Sequence, residues 1–205
     1  MEQLGYRTAL LVVDMQKGFS HPSWGERTNP DAEWRIAMLL HAWRAARAPV
    51  IHVHHLSPSP SGCFRAGTPG SEPLDLTAPL PGEAVLRKRV NSAFIGTSLE
   101  ADLRRTGIEG LVLVGLTTNH CISTTARMAG NLGFRTCVVS DATATFARTG
   151  ASGRMRSAEE VHDAALGDLQ YEFADVQATQ AVVDALARAI PMATPLLRAG
   201  KRQPG

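Results

Sequence analysis

Leu111-Val112-Leu113-Val114-Gly115-Leu116-Thr117-Thr118-Asn119-His120-Cys121 is the stretch that decides how this 205-residue chain folds. Residues 111–114 read as a buried strand, Thr117-Thr118-Asn119 as a tight turn, and Ile122-Ser123-Thr124-Thr125-Ala126-Arg127-Met128-Ala129 as a helix. A cysteine therefore stands where a helix begins, at the end of a strand. The unpaired amides and dipole of a helix start favour negative charge. The Cys121 thiol is thus expected to lose its proton easily and serve as a nucleophile. The plainer alternative, a small buried cysteine, stays open until partners are found.

Outward from this stretch, apolar runs of strand length alternate with helical patterns. Strands are expected at 8–13, 50–54, 84–87, 111–114, 135–139 and 174–176. Helices are expected at 32–48, from Thr97 or Ser98 to about 105, at 122–132, at 158–169 and at 179–190. Asp31 is the expected cap of the first helix, and Gly133 the expected stop after the Cys121 helix. Such alternation implies a parallel sheet with helices on both faces. Two segments break the rhythm. Residues 18–30 hold Phe19 and Trp24, and 57–82 are rich in Pro, Gly and Ser; loops of that length serve as lids or binding elements. One domain over 1–197 and a flexible tail over 198–205 complete the expected organisation.

Composition narrows the function. Lys and Arg number 21 against 19 Asp and Glu, a net charge of +2, which favours neither nucleic acid nor membrane surfaces as partners. No apolar run approaches the roughly 20 residues that span a bilayer, and the first residues lack the apolar stretch of a secretion signal. The three cysteines, Cys63, Cys121 and Cys137, are odd in number and match no zinc spacing, so a reducing, cytoplasmic setting is the simplest reading. No Gly-x-Gly-x-x-Gly follows the first strand, which disfavours a nucleotide site.

Ligands of open parallel sheets bind beyond the carboxyl ends of the strands. Asp14 closes the first expected strand, His54 and His55 the second and Lys88 the third; Cys121 follows the fourth and Asp141 the fifth. A carboxylate, an ammonium and a thiol are thereby expected on one rim. Cys121 would attack a carbonyl and form a thioester. Lys88 would favour the thiolate and hold Asp14, which would move the proton. His120 is adjacent to Cys121 and cannot face it, so a local hydrogen bond or a pocket role is expected of it. Asp141 is expected to cap or turn the chain before Ala142. Cys63 and Cys137 are expected to be bystanders. His52 and His54 alternate to one face as a metal pair would, yet no metal is expected, with His55 facing the substrate and His52 buried and hydrogen-bonded. Phe19, Trp24 and Phe94 are expected to line an apolar pocket wall.

These residues carry a resemblance. Leu11-Val12-Val13-Asp14-Met15-Gln16-Lys17-Gly18-Phe19, Lys88-Arg89-Val90-Asn91-Ser92-Ala93-Phe94-Ile95-Gly96-Thr97, Gly115–Cys121 and Val138-Val139-Ser140-Asp141-Ala142, in that order, are similar to the isochorismatase-like cysteine hydrolases over nearly the whole chain. The resemblance implies a Rossmann-like three-layer α/β sandwich with a six-stranded, mainly parallel sheet. It also implies a catalytic Asp14, Lys88 and Cys121, a cis peptide at Leu116–Thr117, and oxyanion donors at the amides of Thr117 and Cys121. No cofactor is implied. Nicotinamidases in this superfamily bind a metal through an Asp-x-His segment that His55-Leu56-Ser57 lacks. Similar proteins form dimers, tetramers or larger assemblies, so a homo-oligomer is expected. Residues 124–134 look similar to streptothricin hydrolase-like amidohydrolases. The expected activity is hydrolysis of a C–N bond in a small amide, lactam or ureido compound. The competing readings are a vinyl ether hydrolase, which needs no thiol, and a non-catalytic relative, which needs no triad.

Overall fold

The structure is a computed structural model that describes residue 5 and residues 7–189. Residues 190–197 of the expected domain, the expected tail and the end of the last expected helix at Ile190 lie outside the described residues. Six parallel strands form one sheet in the order β3-β2-β1-β4-β5-β8. They are β1 (Thr8–Val13), β2 (Val50–His55), β3 (Ala84–Lys88), β4 (Gly110–Leu116), β5 (Arg135–Ala144) and β8 (Asp175–Gln177). The helices are α1 (Ala32–Ala45), α2 (Leu99–Arg105), α3 (Ser123–Asn131), α4 (Ala158–Gly167) and α5 (Thr179–Ala189). The expected three-layer α/β sandwich is the fold found.

Every residue of β1 and β4 is buried, which is why these strands read as unbroken apolar runs rather than alternating ones. Alternate side chains divide between two cores. Leu10, Val12, Val112 and Val114 pack on one face with Ile36, Leu39, Leu40 and Trp43 of α1 and Val182 and Leu186 of α5. Ala9, Leu11, Leu111 and Leu113 pack on the other with Leu99 and Leu103 of α2 and Ala126 and Ala129 of α3. The chain leaves β1 toward one face and β4 toward the other, so a crevice opens between their carboxyl ends. No helix among the described residues is long and apolar enough to cross a membrane.

Several boundaries differ from the sequence reading, each for a local reason. α1 stops at Ala45 because Arg47 turns left-handed (φ 53°) and Ala48 N–H donates back to Trp43 O at 2.9 Å. Asp31 does not cap α1 with its side chain; it pairs with Arg35 one turn on, at 3.0 Å. At α2, Thr97 Oγ1 accepts the Leu99 amide while Ser98 bonds Asp102. β5 runs on to Ala144 through an irregularity: Leu113 pairs with Val138 but Gly115 with Thr143. Asp141, inside that irregularity, caps no local turn. Its Oδ1 accepts the backbone N–H and the hydroxyl of Thr179, at 2.7 and 2.8 Å, where α5 begins. A hairpin of β6 (Arg148–Thr149) and β7 (Met155–Arg156) follows, too short to leave a periodic signal.

Gly115 is required by contact. It pairs with Val13 across the β1–β4 seam, its φ is 120°, and a Cβ there would stand 2.0 Å from Val13 O. Gly115→Ala is expected to cost roughly 2–4 kcal/mol of unfolding free energy, measured by urea denaturation; an unchanged midpoint would show that the seam can part without loss.

Candidate active site

Asp14, Lys88 and Cys121 converge at the crevice. Asp14 ends β1 in the left-handed region (φ 55°), a conformation that Asp tolerates better than most side chains. Its N–H donates to Val53 O at 2.7 Å, tying the β1 end to β2. Lys88 is the last residue of β3; strand alternation turns its side chain inward while Arg87 and Arg89 stay exposed. Cys121 lies in a π-helical turn, Thr118–Ile122, that leads into α3, and the Leu116–Thr117 peptide is cis.

The Lys88 ammonium has three N–H groups and three neighbours. Asp14 Oδ2 lies at 2.6 Å, Cys121 Sγ at 3.3 Å and His55 Nδ1 at 3.5 Å. An ammonium only donates, so His55 accepts through Nδ1 and is neutral; burial and Lys88 hold its pKa below the usual value. The Lys88 and Asp14 side chains are 0% and 1% exposed. Asp14 Oδ1 is buried and accepts no hydrogen bond from the described residues. Burial lifts the Asp14 carboxyl above its ordinary 3.8 against the opposing pull of Lys88.

The expectation of an easily ionised thiol is overturned. Burial, then the Asp14 carboxylate, push the Cys121 thiol up to about 12, with Lys88 only partly opposing them. The amides of the helix start explain the failure. Those of His120 and Ile122 donate to Thr117 O, at 3.1 and 3.2 Å, rather than toward the sulfur. The resting thiol keeps its proton, with Asn91 Oδ1 at 3.9 Å as a distant acceptor.

A cavity of about 370 Å³ opens over these groups, lined by Asp14 and Cys121 at its base and by Phe19, Trp24, His55, Thr117 and His120 among its walls. Two larger concavities, of about 600 and 650 Å³, lie at the amino ends of the strands. They hold none of the catalytic candidates and sit on the wrong side of the sheet for a ligand. Phe94 is not brought to the 370 Å³ cavity. Its ring is buried in the second core and stacks on Phe134 at 6.0 Å, because Ser92 Oγ and Thr125 Oγ1 take the amides of Phe94 and Ala93 and turn the segment inward. Cys63, read as a bystander, lines the cavity together with Phe64, Ser57 and Ser61 of the long loop. Phe64 lies 4.7 Å from Phe19 and 5.9 Å from His55, closing an aromatic wall. Cys137 is buried in β5, away from the site.

His52 is buried and shares its Nε2 with Glu83 at 3.0 Å. His54 packs edge-on to it at 6.4 Å, and burial drops its pKa to about 4. Among the described residues no group of three His, Cys, Asp or Glu side chains is placed to hold a metal ion.

Two supporting residues escaped the sequence reading. Gln16, fully buried, accepts the His55 N–H at 2.7 Å and donates to the carbonyls of His55 and Ser71, each at 3.0 Å. It thereby fixes both the β2 end and the long loop to β1. His162 of α4 bonds Thr118 Oγ1 through Nδ1 at 2.9 Å and Ser140 O through Nε2 at 3.1 Å. The carbonyl only accepts, so Nε2 carries the proton and Nδ1 receives the Thr118 hydroxyl. Asn29 donates to the same Ser140 carbonyl and to Thr143 O, at 2.9 and 2.7 Å. Polar groups freed by the β5 irregularity thus brace the turn that carries Cys121. Gln16 has a signal in its place two residues after Asp14; His162 sits in an ordinary helical pattern and has none.

Comparison with known proteins agrees over most of the chain. Residues 8–181 match the model of the isochorismatase domain. The isochorismatase family protein YrdC of Bacillus subtilis (strain 168) is 40% identical over 178 residues, 87% of this chain and 95% of that one. Streptothricin hydrolase of Streptomyces noursei is 36% identical over 141 residues, 67% of this chain but 50% of its own length. A crystal structure of an isochorismatase-family hydrolase from Chromobacterium violaceum ATCC 12472 superposes with a TM-score of 0.89 at 43% identity, covering 92% of this chain and 97% of that one. A cysteine hydrolase from Pseudomonas syringae pv. phaseolicola 1448A superposes at 0.83 with 27% identity, covering 90% and 94%.

The buried charge pair is open to a stability test. Lys88→Met strands Asp14 without its cation and is expected to cost roughly 3–5 kcal/mol, whereas Asp14→Asn with Lys88→Met recovers wild-type stability or exceeds it. Urea unfolding of the two variants checks this; a double variant no more stable than Lys88→Met would show that the pair is not the source of the loss.

Proposed function

The chain belongs to the isochorismatase family and is a hydrolase, and on that premise we propose that it cleaves a C–N bond of a small amide, lactam or ureido compound through a thioester on Cys121. The observation that carries the reading is the triple contact of Lys88, whose ammonium touches both the carboxylate of Asp14 and the sulfur of Cys121.

The thiol is protonated at rest, so attack requires a base at the moment of bond formation. The Asp14 carboxylate serves as that base, since its charge and a side-chain hydrogen bond already act on the Cys121 thiol. As Sγ bonds to the carbonyl carbon, the thiol proton passes to Asp14, and the oxyanion is met by the amides of Thr117 and Cys121, both residues of the cavity wall. Asp14 then gives its proton to the nitrogen as the C–N bond breaks, and the amine departs. A water, deprotonated by Asp14, attacks the thioester. The C–S bond breaks, the acid leaves, and the sulfur takes its proton back. Lys88 keeps its own proton throughout and stabilises whichever of the carboxylate and the sulfur is negative. Phe19, Trp24, His55 and His120 contact the substrate. A cytoplasmic location and a homo-oligomer, dimer or tetramer, belong to the same reading. The three cysteines are unbridged, as a reducing compartment would keep them. Trp34 and Met38, one turn apart on α1, are 66% and 43% exposed, as an assembling surface would have them.

Incubation with a panel of amides, lactams and carbamoyl compounds is expected to leave an acyl mass on Cys121, and Cys121→Ala to lose turnover by about 10³-fold or more. Undiminished turnover in Cys121→Ala would sink the thioester route. The reactive form needs Asp14 as carboxylate, and burial raises its pKa. kcat/KM should therefore fall as pH drops through a limb displaced above 3.8; a limb at or below the ordinary carboxylate value would remove Asp14 as the base.

A further inference from the structure

Several surface cations are paired with carboxylates, and one, beside a residue of the cavity wall, is held differently. Arg27 is paired with Glu33 at 2.7 Å, Lys17 with Glu72 at 2.9 Å and Arg154 with Glu160 at 3.0 Å. Arg148, exposed on β6, has no carboxylate partner among the described residues. Its Nη1 donates to Nε2 of His120 at 2.7 Å, and His120 lines the cavity. A guanidinium has no acceptor, so Nε2 is the accepting nitrogen, the ring is neutral, and its proton sits on Nδ1, 3.4 Å from Thr117 Oγ1. Burial and the neighbouring Arg148 both hold His120 below its usual pKa, in keeping with that neutral form. A chain Arg148–His120–Thr117 thus runs from the β6–β7 hairpin to the turn that carries Cys121. It pins the guanidinium by one nitrogen and leaves the edge formed by Nε and Nη2 without a hydrogen bond to any described residue.

Within the cavity the Asp14 charge is already balanced by Lys88, and no other lining residue is acidic. Arg65 and Arg89 flank the site in sequence, beside Phe64 and Lys88, and they too lack carboxylate partners among the described residues. The cation shown in contact with the cavity wall is Arg148, through His120. A free Nε/Nη2 edge matches the two oxygens of a carboxylate. Arg156 stands opposite Arg148 across the hairpin, but His120 holds Arg148 alone, and a single held guanidinium suits a carboxylate better than a phosphate, whose greater charge and extra oxygens call for a cluster of held donors.

We propose that the substrate is an anionic amide: that it carries a carboxylate at the end remote from the scissile C–N bond, received by Arg148 while His120 holds the guanidinium in place. The proposal rests on the hydrolase reading for its turnover arm only. It names Arg148 as the specificity-determining residue, contributed by a hairpin outside the catalytic triad.

Two measurements test it and fail independently of the thioester route. In the first, succinamate and succinamide are compared as a matched pair, one carrying a carboxylate and the other a neutral amide. The ratio of their kcat/KM values is expected to favour succinamate by about tenfold or more, as a charge-assisted bidentate contact would. Arg148→Gln should bring the ratio close to one, while Arg89→Gln, which removes the same charge from the rim, should change it less than about threefold. In the second, succinate and benzoate binding to the Cys121→Ser protein is followed by calorimetry. Binding that weakens about tenfold or more in Cys121→Ser with Arg148→Gln supports the site whether or not any acyl enzyme forms. The proposal is overturned if neither carboxylate shows Arg148-dependent binding, if succinamide is the better substrate, or if Arg89→Gln erases the preference as fully as Arg148→Gln. Acyl enzyme that forms equally from both amides, with no dependence on Arg148, would leave the thioester route standing and the anion site refuted. Arg148-dependent binding without any acyl enzyme would do the reverse.

Discussion

An ammonium removed from water is the constraint on which the rest of this molecule depends. Lys88 is as buried as any leucine of the core, and an ion there is tolerable only with partners at hydrogen-bond distance. Those partners come from three separate strand ends. β1 must stop at Asp14, β2 must bring His55 alongside, and β4 must hand over to a turn that presents Cys121. The parallel register supplies this: His55 pairs with Lys88 across β2 and β3, and Val13 with Gly115 across β1 and β4. A slip of one residue in any of these pairings would carry an inward side chain to the opposite face and leave the charge alone.

The same burial decides the state of the sulfur. A helix start is commonly a place where a thiol ionises, and here it is not. The turn uses the amides of His120 and Ile122 on the Thr117 carbonyl, and the low-polarity surroundings cost a thiolate more than one ammonium, already shared with Asp14, returns. Held as a neutral thiol beside Asp14, Cys121 spares the buried site a second negative charge, which its one ammonium could not also balance.

What the sequence made legible follows from range. Strands buried on both faces write themselves as apolar runs, and the rule that ligands sit at carboxyl strand ends turns those runs into a list of neighbours, so Asp14, Lys88 and Cys121 were readable together. Features that depend on how far a segment bends were not. Phe94 belongs to a matching motif, yet two side-chain bonds, from Ser92 and Thr125, roll it into the core. Cys63 and Phe64 reach the cavity because the long loop folds back over it, and nothing periodic in 57–82 announces that path. The irregularity in β5 comes from three extra residues set against β4, and a strand pattern alone gives no sign of where such slack falls. The direction of the Cys121 shift is hidden from the sequence for a related reason: a helix start is visible there, whereas the burial that outweighs it is a property of the packed site.

Gln16 has a consequence for how such a site diversifies. Its one amide grips the end of β2 and the carbonyl of Ser71 together, so the first half of the long loop is anchored on both sides by a residue that follows β1 and Asp14. The stretch between, which brings Ser57, Ser61, Cys63 and Phe64 to the cavity, behaves as an exchangeable cassette. Its length and side chains are free to drift, reshaping what the pocket accepts, while the geometry of Asp14 and Lys88 is inherited unchanged.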